Sequence, residues 1–331
     1  MSPPSHQDSF LCVFNRINRN PPRVRITAKS ATAFIDQYKL ICSFVNNLFL
    51  HKRKLELKML DDNGLYNNLR IAVPADFQNV FCHFYLAVNN SEVPITKTLL
   101  PSYQSIVLFN FGTEITLYSD QNVHIRVNKC IVMGPIKKGF DYSLPPDSEI
   151  LVATFKGDAF YRFFGNASIT GTLSLNPDEL LGGNCFTELW TDLDKINDAA
   201  EKVNYILEYC RPFLRQRNPI AEQIINFKRQ NLSPIKSIAK NQNQTERNIQ
   251  IKHKKYLGYS AKELNRYRRF IRTIKLIQNI VSESKQVDWF QIIDECGYYD
   301  QSQLINDFQY YIKLTPKKYL KFQQDICDPI N

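Results

Sequence analysis

The stretch Gly297–Leu320 of this 331-residue chain reads GYYDQSQLINDFQYYIKLTPKKYL. Its glycine follows an apolar helical pattern and suits the left-handed end of a helix. Asp300 offers a capping oxygen to a new helix, and Gln303 completes the capping-box spacing three residues later. Leu304 and Phe308 would then share one buried face, which leaves the polar side chains of that helix on the other. The pattern predicts a helix, a tight turn and a second helix of the kind that fits the major groove of DNA.

The same plan occurs 55 residues earlier, so this stretch is half of a repeat. The paired positions are Ile249 with Leu304, His253 with Phe308, Leu257 with Ile312, Tyr259 with Leu314, Ser260 with Thr315, Ala261 with Pro316 and Leu264 with Tyr319. The helix before each turn matches instead at a spacing of 54, from Ala239 to Ile293, which predicts a turn one residue longer in the second copy. We interpret residues 219–325 as two helix-turn-helix units joined by a long helix that begins at the capping box of Ser260 and Glu263.

The positive charge of the chain is confined to its last third. Residues 211–331 hold 22 Lys and Arg against 11 Asp and Glu, whereas residues 1–210 hold 20 against 21. A solvated basic surface would explain part of such an excess. A single region that carries all of it fits a partner with a phosphate backbone better.

Neither cysteine nor histidine spacing predicts a catalytic or metal site. The eight cysteines include no CxxC pair, which is typical of reduced thiols in a cytosol and does not support zinc or a disulfide framework. The five histidines include no HxH or HExxH pair, and GxxxxGK[ST], GxGxxG and GxSxG motifs are absent. An enzyme or DNA-repair role would need a reactive cysteine in a basic setting, and no local spacing suggests one. We expect no enzyme, no cofactor and no metal.

The most hydrophobic segments of the sequence contain too many polar residues to cross a membrane. The most apolar N-terminal run, Phe34–Leu50, is interrupted by an aspartate, a glutamine, a lysine and two asparagines. Residues 1–20 lack the apolar segment of a signal peptide. These features and the basic last third predict a cytoplasmic, nucleoid-associated protein with no membrane partner.

The region before the repeat divides into two parts. Residues 1–78 are interpreted as an N-terminal extension, partly helical, because Thr32–Leu60 has helical spacing. Residues 79–215 contain short apolar or alternating runs between turn formers, which predict a small β-rich domain. The GDAFYRFFG segment, residues 157–165, predicts a helical turn that packs aromatic rings on the sheet. The predicted strands are Val80–Val88, Ser105–Phe111, Ile115–Tyr118, Val123–Val127, Cys130–Met133 and Ile150–Phe155.

Residues 219–322 resemble the DNA-binding domain of AraC/XylS-type transcriptional regulators. The second-unit pattern of that family, close to GYYDQSxxxxxFxxxxxLTPxxY, is nearly complete from Gly297 to Tyr319. In the first unit, Thr245-Glu246-Arg247 is similar to the family's Ser-Glu-Arg, and Leu257-Gly258-Tyr259-Ser260 to its Gly-x-Ser. Residues 80–210, approximately, resemble an AraC-associated N-terminal sensor domain. The shared segments are Leu99-Leu100-Pro101, Val132-Met133-Gly134-Pro135 and Gly157-Asp158-Ala159.

The resemblance implies an α+β fold, with a small β-rich sensor-like domain followed by an all-α DNA-binding domain. Its function would be that of a sequence-specific transcription regulator with two recognition helices in successive major grooves, about 34 Å apart. The positions implied to read bases are Glu246, Arg247, Gln250, Gln301, Ser302 and Asn306. The positions expected to contact phosphates are Thr245, Lys252, Lys254, Lys255, Lys317 and Lys318.

Three residues depart from the family pattern. Ile251 stands where the family often has arginine, His253 where it usually has an aromatic residue, and Ile293 where a small residue is common. The docking of the first unit, and base reading at Ile251, therefore do not follow from the resemblance.

Double-stranded DNA is the implied partner, and RNA polymerase, a small-molecule effector and a second copy of the chain are further candidates. The effector site is not indicated. An alternative is a protein-interaction adaptor, in which the central domain binds a protein while the C-terminal domain anchors it to DNA. A small molecule that co-purifies would favour sensing, and a stable heterocomplex would favour the adaptor.

Overall fold

A computed structural model describes residues 57–62, 65–118, 124–167, 176–181, 183–227, 233–283, 286–321 and 326–327. A β-rich domain is followed by a helical domain with two helix-turn-helix units joined by a long helix, which confirms the predicted fold class. None of the helices in these ranges is long and apolar enough to span a bilayer.

The β-rich domain consists of two sheets. The first has the order β1-β2-β3-β10-β5-β8 and the second the order β11-β4-β9-β6-β7. All strand pairs are antiparallel except β11 with β4, through which residues 326–327 join the second sheet. The strands are β1 Leu57–Asp62, β2 Tyr66–Ile71, β3 Phe81–Asn89, β4 Ile95–Leu99, β5 Ile106–Gly112, β6 Ile115–Tyr118, β7 His124–Val127, β8 Cys130–Met133, β9 Phe140–Leu144, β10 Ser148–Phe155 and β11 Ile326–Cys327.

Strand β10 lies in the middle of the first sheet and is buried on both faces. Leu151, Ala153 and Phe155 pack under the helices that cover the sheet, whereas Ile150 packs between the two sheets. Successive side chains of a strand point to opposite faces, so burial on both sides produces a continuous apolar run. This double burial explains why the sequence pattern located β10 readily.

The first sheet begins earlier in the chain than predicted. Residues 57–60, which the helical pattern included, lie in β1, and β2 pairs antiparallel with β3 from Tyr66 to Ile71. The predicted extension therefore contributes two strands, and its residues 1–56 lie outside the described part of the chain. The YNNLRI sequence of β2 was missed because its two asparagines are poor strand formers, while backbone pairing with β3 does not depend on side chains.

Four helices cover the outer face of the first sheet. The predicted helical turn at residues 157–165 is confirmed: Phe160 and Phe164 both pack against Phe155 at ring distances of 5.3 and 6.2 Å. The segment that connects these four helices to the helical domain is bound to the β-rich domain, because Arg217 Nε donates to Asp158 Oδ1 at 2.9 Å. The helices are α1 Ala159–Phe164, α2 Pro177–Leu181, α3 Cys185–Leu193 and α4 Ala199–Cys210.

The helical domain repeats with the predicted spacing. Helices α7 and α10 begin and end 55 residues apart, and α8 and α11 begin 55 residues apart. The capping box at the start of α8 is formed. The Ser260 hydroxyl accepts a hydrogen bond from Glu263 N, and the Glu263 carboxylate accepts one from Ser260 N. The helices are α5 Pro219–Ile225, α6 Pro234–Asn241, α7 Glu246–Leu257, α8 Ala261–Ser282, α9 Trp289–Cys296, α10 Gln301–Ile312 and α11 Pro316–Lys321.

Counted from the left-handed residue that ends the preceding helix, the second turn is one residue longer, as predicted. The helix bounds themselves leave four residues in each turn, 242–245 and 297–300. The left-handed residue that follows α6 is Asn243, and the equivalent residue after α9 is Gly297, 54 positions later. Gln244 N donates to Ala239 O in the first copy, and Tyr298 N donates to Ile293 O in the second, both at 2.9 Å. The left-handed residues and these hydrogen bonds are thus equivalent at a spacing of 54, whereas α7 and α10 start at a spacing of 55.

Candidate nucleic-acid interface

Helix α7 presents an exposed face opposite its buried one, and this face is polar or charged except at Ile251. The Thr245 hydroxyl accepts a hydrogen bond from Asn248 N at 3.2 Å, which caps the helix. Glu246, Arg247 and Gln250 are all exposed, as their predicted role requires. The buried side chains of α7 are Ile249, His253, Tyr256 and Leu257.

Helix α10 is built in the same way. Asp300 Oδ1 accepts from Gln303 N at 2.8 Å, and Gln303 Oε1 accepts from Tyr299 N at 3.0 Å, so the first turn is held from both sides. Gln301, Ser302 and Asn306 are exposed. The buried side chains of α10 are Leu304, Asp307, Phe308, Tyr311 and Ile312.

The predicted phosphate contacts fall into two groups. Lys254, Lys317 and Lys318 are exposed, and Lys255 is exposed with its ammonium 5.9 Å from the Tyr161 ring. Lys252 is half-buried, and its Nζ donates to Gln244 Oε1 at 2.7 Å. The Thr245 hydroxyl and the Lys252 ammonium therefore already serve bonds within the first unit.

A buried ion pair attaches α10 to the long helix α8. Asp307 is 1% exposed, and its two carboxylate oxygens accept from Arg266 Nε at 2.7 Å and Arg269 Nη2 at 2.9 Å. A buried carboxylate needs such partners, because an unpaired buried charge would strongly destabilise the fold. Asp307 was not predicted from the sequence, although an acidic residue next to Phe308 on the apolar face of α10 was a usable signal.

Tyr103 of the β-rich domain reaches the junction of the two units. Its ring stacks on Tyr267 of α8 at 4.4 Å and meets the edges of Tyr259 at 5.0 Å and Tyr311 at 6.5 Å. Tyr267 Oη also donates to Pro101 O at 2.9 Å. The end of the first unit, the long helix and α10 thus share one contact with the β-rich domain.

Further polar contacts join the same surfaces. Lys137 Nζ donates to Glu263 Oε1 at 2.8 Å, and Gly139 N donates to Tyr311 O at 2.6 Å. Tyr161 of α1 packs edge-on against Tyr256 of α7 at 5.0 Å. Helices α7 and α10 are therefore both in contact with the β-rich domain through their C-terminal halves, while polar side chains of their first turns are exposed.

The space between the two sheets contains a cavity of about 200 Å³. Its walls are mostly apolar, with Arg70 and His83 among the polar lining residues. Burial, together with the charge of Arg70, lowers the pKa of His83 to about 4. The imidazole is therefore neutral at pH 7, and the cavity is a space that a small, largely apolar molecule could occupy.

The thiols of Cys82, Cys130 and Cys210 are not activated. Burial raises the pKa of Cys130 and Cys210 to about 12, and it also raises the pKa of Cys82. A reactive thiol needs the opposite shift.

Comparisons with known proteins show little similarity. No family model matches the chain, and no curated protein matches its sequence. A structure of ToxT from Vibrio cholerae is 16% identical, with 72% of this chain and 98% of that chain covered and a TM-score of 0.36. A structure of unsaturated fatty acid bound wild-type ToxT from Vibrio cholerae is 14% identical, with 72% and 94% covered and a TM-score of 0.35. Hydroxypropylphosphonic acid epoxidase from S. wedmorenis is 12% identical, with 30% and 56% covered and a TM-score of 0.24.

Proposed function

We propose that this chain is a sequence-specific DNA-binding transcription regulator of the AraC/XylS type, acting in the bacterial cytoplasm on the nucleoid. The observation that supports this most strongly is the pair of helices α7 and α10. Each is capped at its N-terminus, is buried along one face and exposes polar side chains in its N-terminal half. One 22-residue helix joins the two units, which suits two major grooves on one side of a duplex.

The exposed side chains have the chemistry for base reading. Arg247 can donate two hydrogen bonds to guanine, and Gln250 or Gln301 can pair with adenine. Glu246 can accept from cytosine, although a carboxylate in the first turn also stabilises the helix dipole. Ser302 and Asn306 complete the polar face of α10. The exposed lysines Lys254, Lys255, Lys317 and Lys318 would neutralise phosphates and provide affinity without sequence choice.

The β-rich domain is proposed to control the helical one. The cavity between its sheets is the candidate site for a small-molecule effector, and Tyr103 and Lys137 provide contacts through which occupancy could reach the recognition helices. An effector acts only if it binds the active and inactive states with unequal affinity. RNA polymerase and a second copy of the chain are further proposed partners.

Binding-site selection from randomised duplexes tests this function. The full-length chain should enrich two short motifs separated by about one helical turn, because the two recognition helices enter successive grooves. The absence of any enriched motif at moderate salt would contradict sequence-specific binding. A single enriched motif would contradict the two-groove arrangement but not DNA binding.

Arg247→Ala should cost about 1–3 kcal/mol of binding free energy on the selected duplex and relax the choice of base at one position. Lys254→Ala on the same helix is the matched control, since Lys254 is also exposed but would contact phosphate. It should weaken all duplexes alike and lower the salt slope by about 1. Titrations with selected and scrambled duplexes at several salt concentrations check both. Equal losses on the two duplexes in the Arg247 variant would show that this residue does not read a base.

A further inference from the structure

An apolar side chain lies at the centre of the exposed face of α7. Ile251 is 59% exposed, although the rest of that face is polar or charged. At about 100° per residue, Ile251 lies about 175° around the helix from the mean direction of the buried side chains of α7. It therefore points directly away from the core and contributes little to folding.

Cationic side chains surround this isoleucine on the helix surface. Arg247 lies four positions before Ile251, and Lys254 and Lys255 follow it by three and four positions, so all three share its face. An apolar protein partner that covered Ile251 would also have to desolvate these cations, which is unfavourable. In a DNA major groove, by contrast, these cations would contact phosphates. Ile251, which lies between them, would face the edges of the bases.

In the major groove, thymine alone carries an apolar group, the methyl at C5. The amide and guanidinium groups of the other exposed positions cannot distinguish this methyl group by hydrogen bonding. We propose that Ile251 reads the thymine methyl group in the half-site bound by α7, an inference that rests on the proposed function.

The two recognition helices would then read different bases at equivalent places. Asn306 lies 55 residues after Ile251 and occupies the same angular position on α10. Its amide suits adenine, whereas Ile251 suits thymine. The half-sites are therefore expected to differ at this position, and the chain would bind its duplex in one orientation.

The test uses the full-length chain and the duplex obtained by binding-site selection. Each thymine of the half-site assigned to α7 is replaced singly by deoxyuridine, which removes only the methyl group. The wild-type chain should bind about fourfold more weakly at one of these positions, the value expected for one buried methyl group. If no motif is enriched, the proposed function fails and this inference fails with it. If a motif is enriched but every deoxyuridine duplex binds as tightly as its thymine counterpart, only the inference fails.

Substitutions assign the effect to the residue. Ile251→Ala should bind the thymine and deoxyuridine duplexes equally, while Asn306→Ala should keep the discrimination in the α7 half-site. Ile251→Arg should shift the preferred base at that position from thymine to guanine. Because Ile251 is exposed, these variants should fold normally, and far-ultraviolet circular dichroism checks this. Retained discrimination in Ile251→Ala would overturn the inference.

Discussion

His253 departs from the AraC-type pattern, which usually has an aromatic residue at this position, but its side chain is buried. It is 2% exposed in the core of the first unit, where Phe308 stands in the second. Its Nδ1 lies 2.7 Å from Tyr259 O, which satisfies one ring nitrogen as a donor. Burial lowers the pKa of His253, and the Tyr259 carbonyl only partly opposes this shift. The neutral imidazole is therefore favoured in the folded protein.

The pH dependence of stability should reveal this buried histidine. An unfolded histidine has a pKa near 6.5, so stability is complete above about pH 6.5 and falls as the pH drops below it. His253→Phe should reduce this loss between about pH 7 and 5, as measured by urea unfolding at a series of pH values. His83 contributes in the same direction, so part of the loss remains. Tyr259→Phe changes the neighbouring ring but keeps the imidazole, and it should retain the wild-type slope. An unchanged slope in His253→Phe would contradict a neutral, buried His253.

Helices α7 and α9 both end at a glycine in the left-handed conformation, but the surroundings of the two glycines differ. Gly258 ends α7 with φ of 78°, and Gly297 ends α9 with φ of 73°. A Cβ at position 258 would overlap Ala167 O and lie 2.7 Å from Pro135 Cγ, whereas one at position 297 would meet nothing within 4 Å. The first glycine therefore serves both the helix end and the close approach of the β-rich domain.

Substitutions at the two glycines separate these effects. Gly297→Ala should cost about 1–2 kcal/mol of unfolding free energy, the penalty of a left-handed conformation alone. Gly258→Ala should cost more, because the domains must also move apart. Asparagine tolerates the left-handed region, so Gly297→Asn should be nearly neutral while Gly258→Asn stays destabilising. Urea unfolding of the four variants measures this, and equal costs at the two positions would contradict tight domain packing at Gly258.

For the whole molecule, Glu263 connects a helix start with a domain contact. Its carboxylate accepts from Ser260 N at 2.7 Å in the capping box and from Lys137 Nζ at 2.8 Å across the domains. Burial by itself would raise the pKa of Glu263, but the hydrogen bonds from Lys137 and Ser260 outweigh it and lower the pKa overall. The ionised form is therefore favoured in the folded protein.

Glu263→Gln isolates the contribution of the charge, since glutamine also forms a capping box. The wild-type chain should be more stable at pH 7 by less than about 1 kcal/mol, the usual range for a partly exposed ion pair. A lowered carboxyl pKa stabilises the fold above the unfolded pKa of about 4.3, and this advantage is lost as the pH falls through the lower folded value. Thermal unfolding of both chains from pH 7 to 3 should show the difference closing at acid pH. Lys137→Met is a second variant, which should reproduce the loss without touching the cap.

The sequence by its own local pattern determined the helical repeat and the buried and exposed faces of α7 and α10. Thr245, Asp300 and Gly297 act on backbone groups within one helical turn, so their effect is visible in the local sequence. The buried and exposed faces follow from the 3.6-residue period, which requires no knowledge of the partner surface. The doubly buried strand β10 was likewise found from its own apolar run.

Tertiary structure alone decided which distant residues meet. Strand β2 has a polar sequence and is a strand because it pairs with β3. The buried Asp307 is accommodated because its carboxylate accepts hydrogen bonds from Arg266 and Arg269, which are 41 and 38 residues away in the chain. Tyr103 joins both units only because the β-rich domain folds against them. The physical reason is that pairing and burial depend on partners brought together by the whole chain, whereas caps and helical periodicity are completed within a few residues.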